Sequence, residues 1–109
     1  MAHRLAPEVY ADLAGIWSNI VRESGGNTAA ADRVIDAITE RFYLLGQHPR
    51  AGRSRAHDLR PGLRSFPVGE YLIIYALSGE DAVILYVFPG RRDIPNLIDP
   101  LRGLPEEDV

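Results

Sequence analysis

The chain has 109 residues, of which 46% are hydrophobic and 25% charged, and it carries no cysteine and a formal net charge of −3. This length suits one domain, and the lack of cysteine excludes disulfides and thiolate metal sites. No apolar run approaches the roughly 20 residues that cross a bilayer, and the N-terminus does not resemble a signal peptide, so we expect a cytoplasmic protein without a membrane partner.

The charge is distributed unevenly along the chain. Residues 48–92 carry seven Arg against four acids, whereas residues 93–109 carry one Arg against five. All twelve basic residues are Arg. Because Arg stays protonated in proteins, no side-chain amine here can act as a general base or form a Schiff base.

The first predicted elements are a short strand over residues 3–6 and two amphipathic helices. The first helix starts at Pro7, whose missing N–H suits a first helical turn, and apolar residues then recur at three- and four-residue spacing. Asn27 or Thr28 caps the second helix, which runs to about residue 45. The short glycine-containing link predicts an antiparallel helix hairpin.

The second half of the sequence has strand patterns. Residues 59–68 predict a broken strand that, because of its prolines, lies at an edge or contains a bulge. Residues 71–77 and 82–88 predict a hairpin that turns at residues 78–81. Both of these strands are apolar on both faces, so one face should meet the helices and the other must be covered or bind a partner.

The order β-α-α-β-β-β predicts an α+β domain, with a helix hairpin packed on a mostly antiparallel sheet. We assign residues 1–98 to this domain. The acidic segment 99–109 is expected to be a flexible tail, with at most a short helix around residues 96–101.

Three arginine-bearing segments could bind phosphates or carboxylates. Residues 48–55 hold three arginines among turn-forming residues, and a solvated connector is the alternative. Arg60 and Arg64 flank a Pro-Gly step, and the alternative for Arg64 is an ion pair with Glu70 or Asp93. Arg91 and Arg92 follow a strand end at a glycine turn, where an ordinary surface turn is the alternative.

No catalytic residue, metal site or cofactor is predicted. His3, His48 and His57 lack metal-ligand spacing, and the acids suggest no general acid–base pair. Trp17 and the strand tyrosines fit a core better than a base-stacking platform.

Several motifs, in their order along the chain, resemble the ParE branch of the ParE/RelE toxin superfamily. They are Pro49-Arg50-Ala51-Gly52, residues 59–66 (LRPGLRSF), residues 71–75 (YLIIY) and residues 87–94, preceded by the first helix. The resemblance covers residues 3 to about 98 and implies the RelE/ParE-like fold.

The resemblance implies a bacterial toxin of a type II toxin–antitoxin pair that inhibits DNA gyrase and is neutralised by a ParD-like antitoxin. We expect no enzymatic activity and no sequence-specific DNA binding by this chain. RelE-type relatives instead cut mRNA on the ribosome. That alternative is disfavoured because the chain has no Lys, has Pro67 where many such relatives are basic, and has no Tyr or His after Arg92. A third reading is a binding module that has lost toxicity, since Pro89 stands where relatives often carry His.

The resemblance and the apolar pattern together give two predicted surfaces. The expected target-binding residues are Arg60, Arg64, Arg91 and Arg92. The expected antitoxin-binding residues are apolar or aromatic: Trp17, Ile20, Tyr71, Ile73, Tyr75 and Phe88.

Overall fold

The computed structural model of the chain describes residues 2–90 and 94–98. The elements, in chain order, are β1 (His3–Leu5), α1 (Pro7–Glu23), α2 (Thr28–Gln47), β2 (Arg53–Ser54), β3 (Leu63–Val68), β4 (Tyr71–Ser78), β5 (Asp81–Pro89) and α3 (Ile94–Leu97). The predicted α+β class is confirmed. Among the described helices, none has the length and apolarity needed to cross a membrane.

The two long helices form the expected hairpin, and their ends follow local chemistry. Pro7 occupies the first turn of α1, and the Asn27 side chain caps α2 by accepting a hydrogen bond of 2.9 Å from the amide of Ala30. Helix α2 runs two residues past its predicted end, through Gly46. A Cβ at Gly46 would lie 3.0 Å from the backbone of Ala2 and His3, so this glycine permits close packing of β1 and does not end the helix.

A five-stranded sheet with the order β1-β5-β4-β3-β2 completes the domain. Strand β1 runs parallel to β5, and every other pairing is antiparallel. The predicted 59–68 strand begins only at Leu63, and the unpredicted two-residue β2 pairs with its first half. Pro67 lies beyond β2, where that edge of β3 needs no N–H donor. The bulge lies instead between β4 and β5, near Ile74 and Tyr75.

The register divides the sheet residues between two faces. Ile73, Ile84 and Val87 lie on the face that meets the helices, where His3 of β1 also packs its ring against Phe42 of α2. All three of these sheet side chains are buried. This face forms the larger part of the core.

The opposite face is covered in part by the chain itself, while Leu72 and Phe88 on it are only half-buried. Ile74 and Tyr86 face each other there and are both buried. The segment after β2 crosses this face, since Arg55 donates a hydrogen bond to the Ser65 side chain, which shares the face with Ile74. Leu59 and Ile98 pack against the same core cluster.

Candidate functional site

The segment between α2 and β3, residues 48–62, is anchored to the sheet by a buried tyrosine. We call this segment the connector. The Tyr75 hydroxyl donates to the carbonyl of Pro49 at 2.7 Å and accepts from the amide of Gly52 at 2.8 Å. Burial raises the pKa of Tyr75, although the Gly52 hydrogen bond and the charge of Arg64 oppose that rise. Tyr75 therefore stays a neutral donor and acceptor at ordinary pH.

Gly52 allows this anchor because a larger residue would not fit. A Cβ there would lie 2.5 Å from the Tyr75 hydroxyl and 2.7 Å from the carbonyl oxygen of Ser65. Real Cβ contacts are not that short, and one of the two neighbours is backbone. The Pro-Arg-Ala-Gly motif thus contains a position where only glycine fits the observed packing.

Arg64 provides a second anchor for the same loop. It lies opposite Tyr75 in the β3–β4 register, is half-buried, and donates from Nη1 to the carbonyl of Gly52 at 2.8 Å. The described contact is therefore with a backbone carbonyl and not with Glu70. The guanidinium still has further N–H groups, and its role in target binding stays a prediction.

Arg55 is a third anchor, which sequence reasoning did not single out. The residue is only 9% exposed. Its guanidinium makes three hydrogen bonds to the Asp58 carboxylate and one to the Ser65 hydroxyl. The hydrogen bonds from Arg55 hold the pKa of Asp58 below its usual range, and the same pairing raises the pKa of Arg55. The sequence feature that could have indicated this ion pair is an acid, Asp58, three residues after Arg55 in a turn.

The remaining arginines of the connector differ in exposure. Arg50 and Arg53 are exposed, whereas Arg60 is half-buried and has interactions of its own. Arg60 lies in the turn before β3, where its carbonyl accepts from the amide of Leu63 at 3.3 Å. The structure therefore places Arg60 just outside the strand that carries Arg64, close to it in sequence but in a different backbone environment.

The predicted strand-end pair, Arg91 and Arg92, lies outside the described residues. Gly90, the residue just before the pair, lies within the described part of the chain. Its amide donates to the carbonyl of Glu70 at 2.9 Å and so continues the β4–β5 pairing by one hydrogen bond. The pair thus follows a strand end in the sequence, as predicted, and its binding role stays a prediction.

The predicted antitoxin-binding residues do not form one surface. Ile73 and Tyr75 are 0% exposed and belong to the core, so in this conformation they offer no surface to a partner. Trp17 is half-buried and donates from its indole to Asp32 at 2.8 Å, which links α1 to α2. Phe88 is half-buried on the opposite face of the sheet, its ring centroid 5.7 Å from that of Tyr86.

Tyr71 lies close to the C-terminal end of α1. Burial is the main cause that raises the pKa of Tyr71, and the negative charges of Glu70 and Glu23 raise it further. Since Glu23 is the last residue of α1 and Ile20 is half-buried one turn earlier, Tyr71 and Ile20 both lie at this end of the domain.

The described residues contain no group of three or more His, Cys, Asp or Glu side chains that could hold a metal ion. Apart from His48, His57 and Asp58, the polar groups of the connector are mainly guanidinium groups, the Ser54 hydroxyl and backbone amides. Such groups donate hydrogen bonds and bind anions, because arginine has no acceptor and does not lose its proton.

Comparisons with known proteins agree on one family. The family model described as "ParE toxin of type II toxin-antitoxin system, parDE" matches residues 4–94. Toxin ParE3 of Caulobacter vibrioides is 38% identical over 86 residues, which cover 79% of this chain and 83% of that protein. A solved structure titled "Chromosomal ParDE TA system from P. aeruginosa" matches with a TM-score of 0.69 at 22% identity, covering 82% of this chain and 95% of that one. This last likeness bears on the fold.

Proposed function

Since the chain belongs to the ParE toxin family of type II toxin–antitoxin systems, we propose that it acts by inhibiting DNA gyrase. In this proposal it binds the gyrase–DNA complex and stabilises the cleaved DNA. The family match carries the proposal, because it spans residues 4–94 and so includes the connector and both central strands.

We further propose that inhibition needs binding and no bond-breaking chemistry by this chain. The arginines bind because a guanidinium offers several fixed donors to a phosphate or carboxylate. The proposed target contacts are Arg60, Arg64, Arg91 and Arg92. Arg64 would act partly by holding the connector in place, since it already donates to the carbonyl of Gly52.

The proposed antitoxin is a ParD-like partner. It covers apolar surface near the C-terminal end of α1 and on the face of the sheet opposite the helices. Ile20 and Tyr71 mark the first area and Phe88 the second, while Trp17 lies between the helices. Because Trp17 is the single tryptophan, its fluorescence should change when the antitoxin binds. A Phe88→Ser variant that binds the antitoxin as tightly as wild type would exclude the outer-face contact.

The test of function uses purified chain in two parallel assays. In a gyrase cleavage assay, the proposal predicts that linear, cleaved DNA accumulates with increasing protein and that an excess of antitoxin prevents this. In a ribosome assay, it predicts no new mRNA ends. Cut mRNA without a gyrase effect would replace the proposal with the RelE-type alternative. No effect in either assay and no growth arrest on expression would indicate a non-toxic binding module.

A further inference from the structure

We propose that Arg50 and Arg53 of the connector contact DNA phosphates in the gyrase–DNA complex. This inference rests on the proposed function and deepens it by assigning a nucleic-acid contact to residues outside the predicted target-binding set. The contact is with the phosphate backbone and carries no base specificity.

Hydrogen bonds to strands β3 and β4 hold the connector in place in the unbound chain. Tyr75 bonds to both Pro49 and Gly52, and Arg64 bonds to the Gly52 carbonyl, so both sides of Ala51 are fixed. Arg53 is itself paired with Ser65 in the β2–β3 ladder. A loop that is already ordered loses little conformational entropy on binding, and its charged groups are presented in a fixed arrangement.

The same hydrogen bonds determine which arginine side chains remain available to contact a phosphate. Arg55 and Arg64 are used inside the fold, by Asp58 with Ser65 and by Gly52. Within the described part of the chain, the side chains of Arg50 and Arg53 make no hydrogen bond or ion pair, and both residues are exposed. The charge of Arg53 does reach Asp58, but that carboxylate is already held by Arg55.

The surroundings of the two arginines favour a phosphate backbone over an acidic protein segment. Residues 48–62 carry four Arg and one Asp, and Glu80 lines the cleft beside Arg50, so the local charge is still positive although the whole chain is at −3. The other exposed side chains between Arg50 and Ala56 are small, namely Ala51 and Ser54. A protein partner normally needs a large apolar anchor beside its charged contacts, whereas phosphate contacts do not.

The experiment measures binding of the toxin to gyrase with and without bound DNA, over a series of salt concentrations. The variants are Arg50→Ala with Arg53→Ala, the charge reversal to Glu at both positions, and a matched control, Arg33→Ala with Arg41→Ala. The control arginines are exposed on α2. Circular dichroism and the urea midpoint first establish that all variants fold like wild type.

For gyrase with DNA, the slope of log K against log salt is about −0.9 per phosphate contact, so loss of two contacts should make the slope less steep by about 1.8. We expect the affinity at low salt to fall at least tenfold for the Ala pair, because each hydrogen bond to a charged group contributes about a factor of ten or more, and further for the Glu pair. The control pair should keep the wild-type slope, and binding to DNA-free gyrase should not change.

Two results overturn the inference while the proposed function stands. One is an unchanged salt slope for the Ala and Glu pairs when wild type still traps cleaved DNA. The other is an equal loss of affinity on DNA-free gyrase, which would assign the arginines to an acidic protein surface. Wild-type protein without any effect on gyrase would instead overturn both the function and this inference.

Discussion

The packing at Gly52 gives the sharpest prediction of stability. In Gly52→Ala, the new Cβ would stand 2.5 Å from the Tyr75 hydroxyl and 2.7 Å from the Ser65 carbonyl oxygen. Tyr75 is 0% exposed and cannot turn away, and the Ser65 oxygen belongs to a paired strand. The connector must therefore move outward and give up the hydrogen bond from Gly52 to Tyr75.

The expected cost follows from these two effects. Overpacking of a filled site costs about 1–3 kcal/mol, and the lost buried hydrogen bond adds about 0.5–1.5 kcal/mol. The free energy of unfolding should thus fall by about 2–4 kcal/mol, a large part of the roughly 5–15 kcal/mol that holds a typical domain together. Urea unfolding followed by Trp17 fluorescence should show a midpoint lower by about 1 M or more.

Gly15→Ala is the matched control for this measurement. Gly15 lies inside α1 with nothing within 4 Å of an added Cβ, so the substitution should stabilise the chain by about 0.5–1 kcal/mol through helix propensity. A Gly52→Ala chain that unfolds within about 0.5 kcal/mol of wild type, with the control behaving as expected, would refute the packing argument.

Three further predictions concern single contacts. Because the pKa of Tyr75 is raised in the folded chain, the contribution of Tyr75 to stability should be fully present below pH of about 10, the ordinary tyrosine value, and be lost as pH rises beyond it. A pH series of urea midpoints should show a smaller alkaline loss in Tyr75→Phe, and equal losses would contradict this. Asp12→Ala should cost about 1–3 kcal/mol, because the amide of Val87 loses the carboxylate to which it donates at 3.2 Å; Asp12→Asn retains an acceptor and should cost less by thermal unfolding, so a reversed order would count against it. Arg55→Lys should cost about 1–2 kcal/mol, because an ammonium cannot reproduce the guanidinium contacts to Asp58 and Ser65, and a denaturation midpoint equal to wild type would show that these contacts add nothing.

The sequence pattern predicted the fold wherever periodicity extends over a whole element. The helix hairpin, the Asn27 cap and the β4–β5 hairpin all followed from local signals. Strand β2 did not, since Arg53-Ser54 has no alternation of its own and exists because β3 pairs with it. The end of α2 was placed too early because Gly46 looks like a helix stop, whereas contact with β1 decides its role.

The site was harder to predict because its contacts join residues distant in the chain. Arg64 bonds to a carbonyl twelve residues earlier, and Tyr75 bonds to residues 23 and 26 positions away. No spacing rule reports such pairs. The sequence did identify the arginine-rich connector, but only the structure separates Arg55 and Arg64, which hold the loop, from Arg50 and Arg53, which face outward.

The central claim, that this chain inhibits gyrase by binding through arginine, is tested most directly at Arg91 and Arg92. The measurement is the amount of cleaved DNA that gyrase accumulates with wild type, with Arg91→Ala and Arg92→Ala combined, and with the Arg33 and Arg41 control pair. The account predicts trapped, cleaved DNA for wild type and control and a loss of at least tenfold in potency for the Arg91 and Arg92 double variant, about 1.4 kcal/mol or more of binding free energy. Equal potency for all three proteins would contradict it.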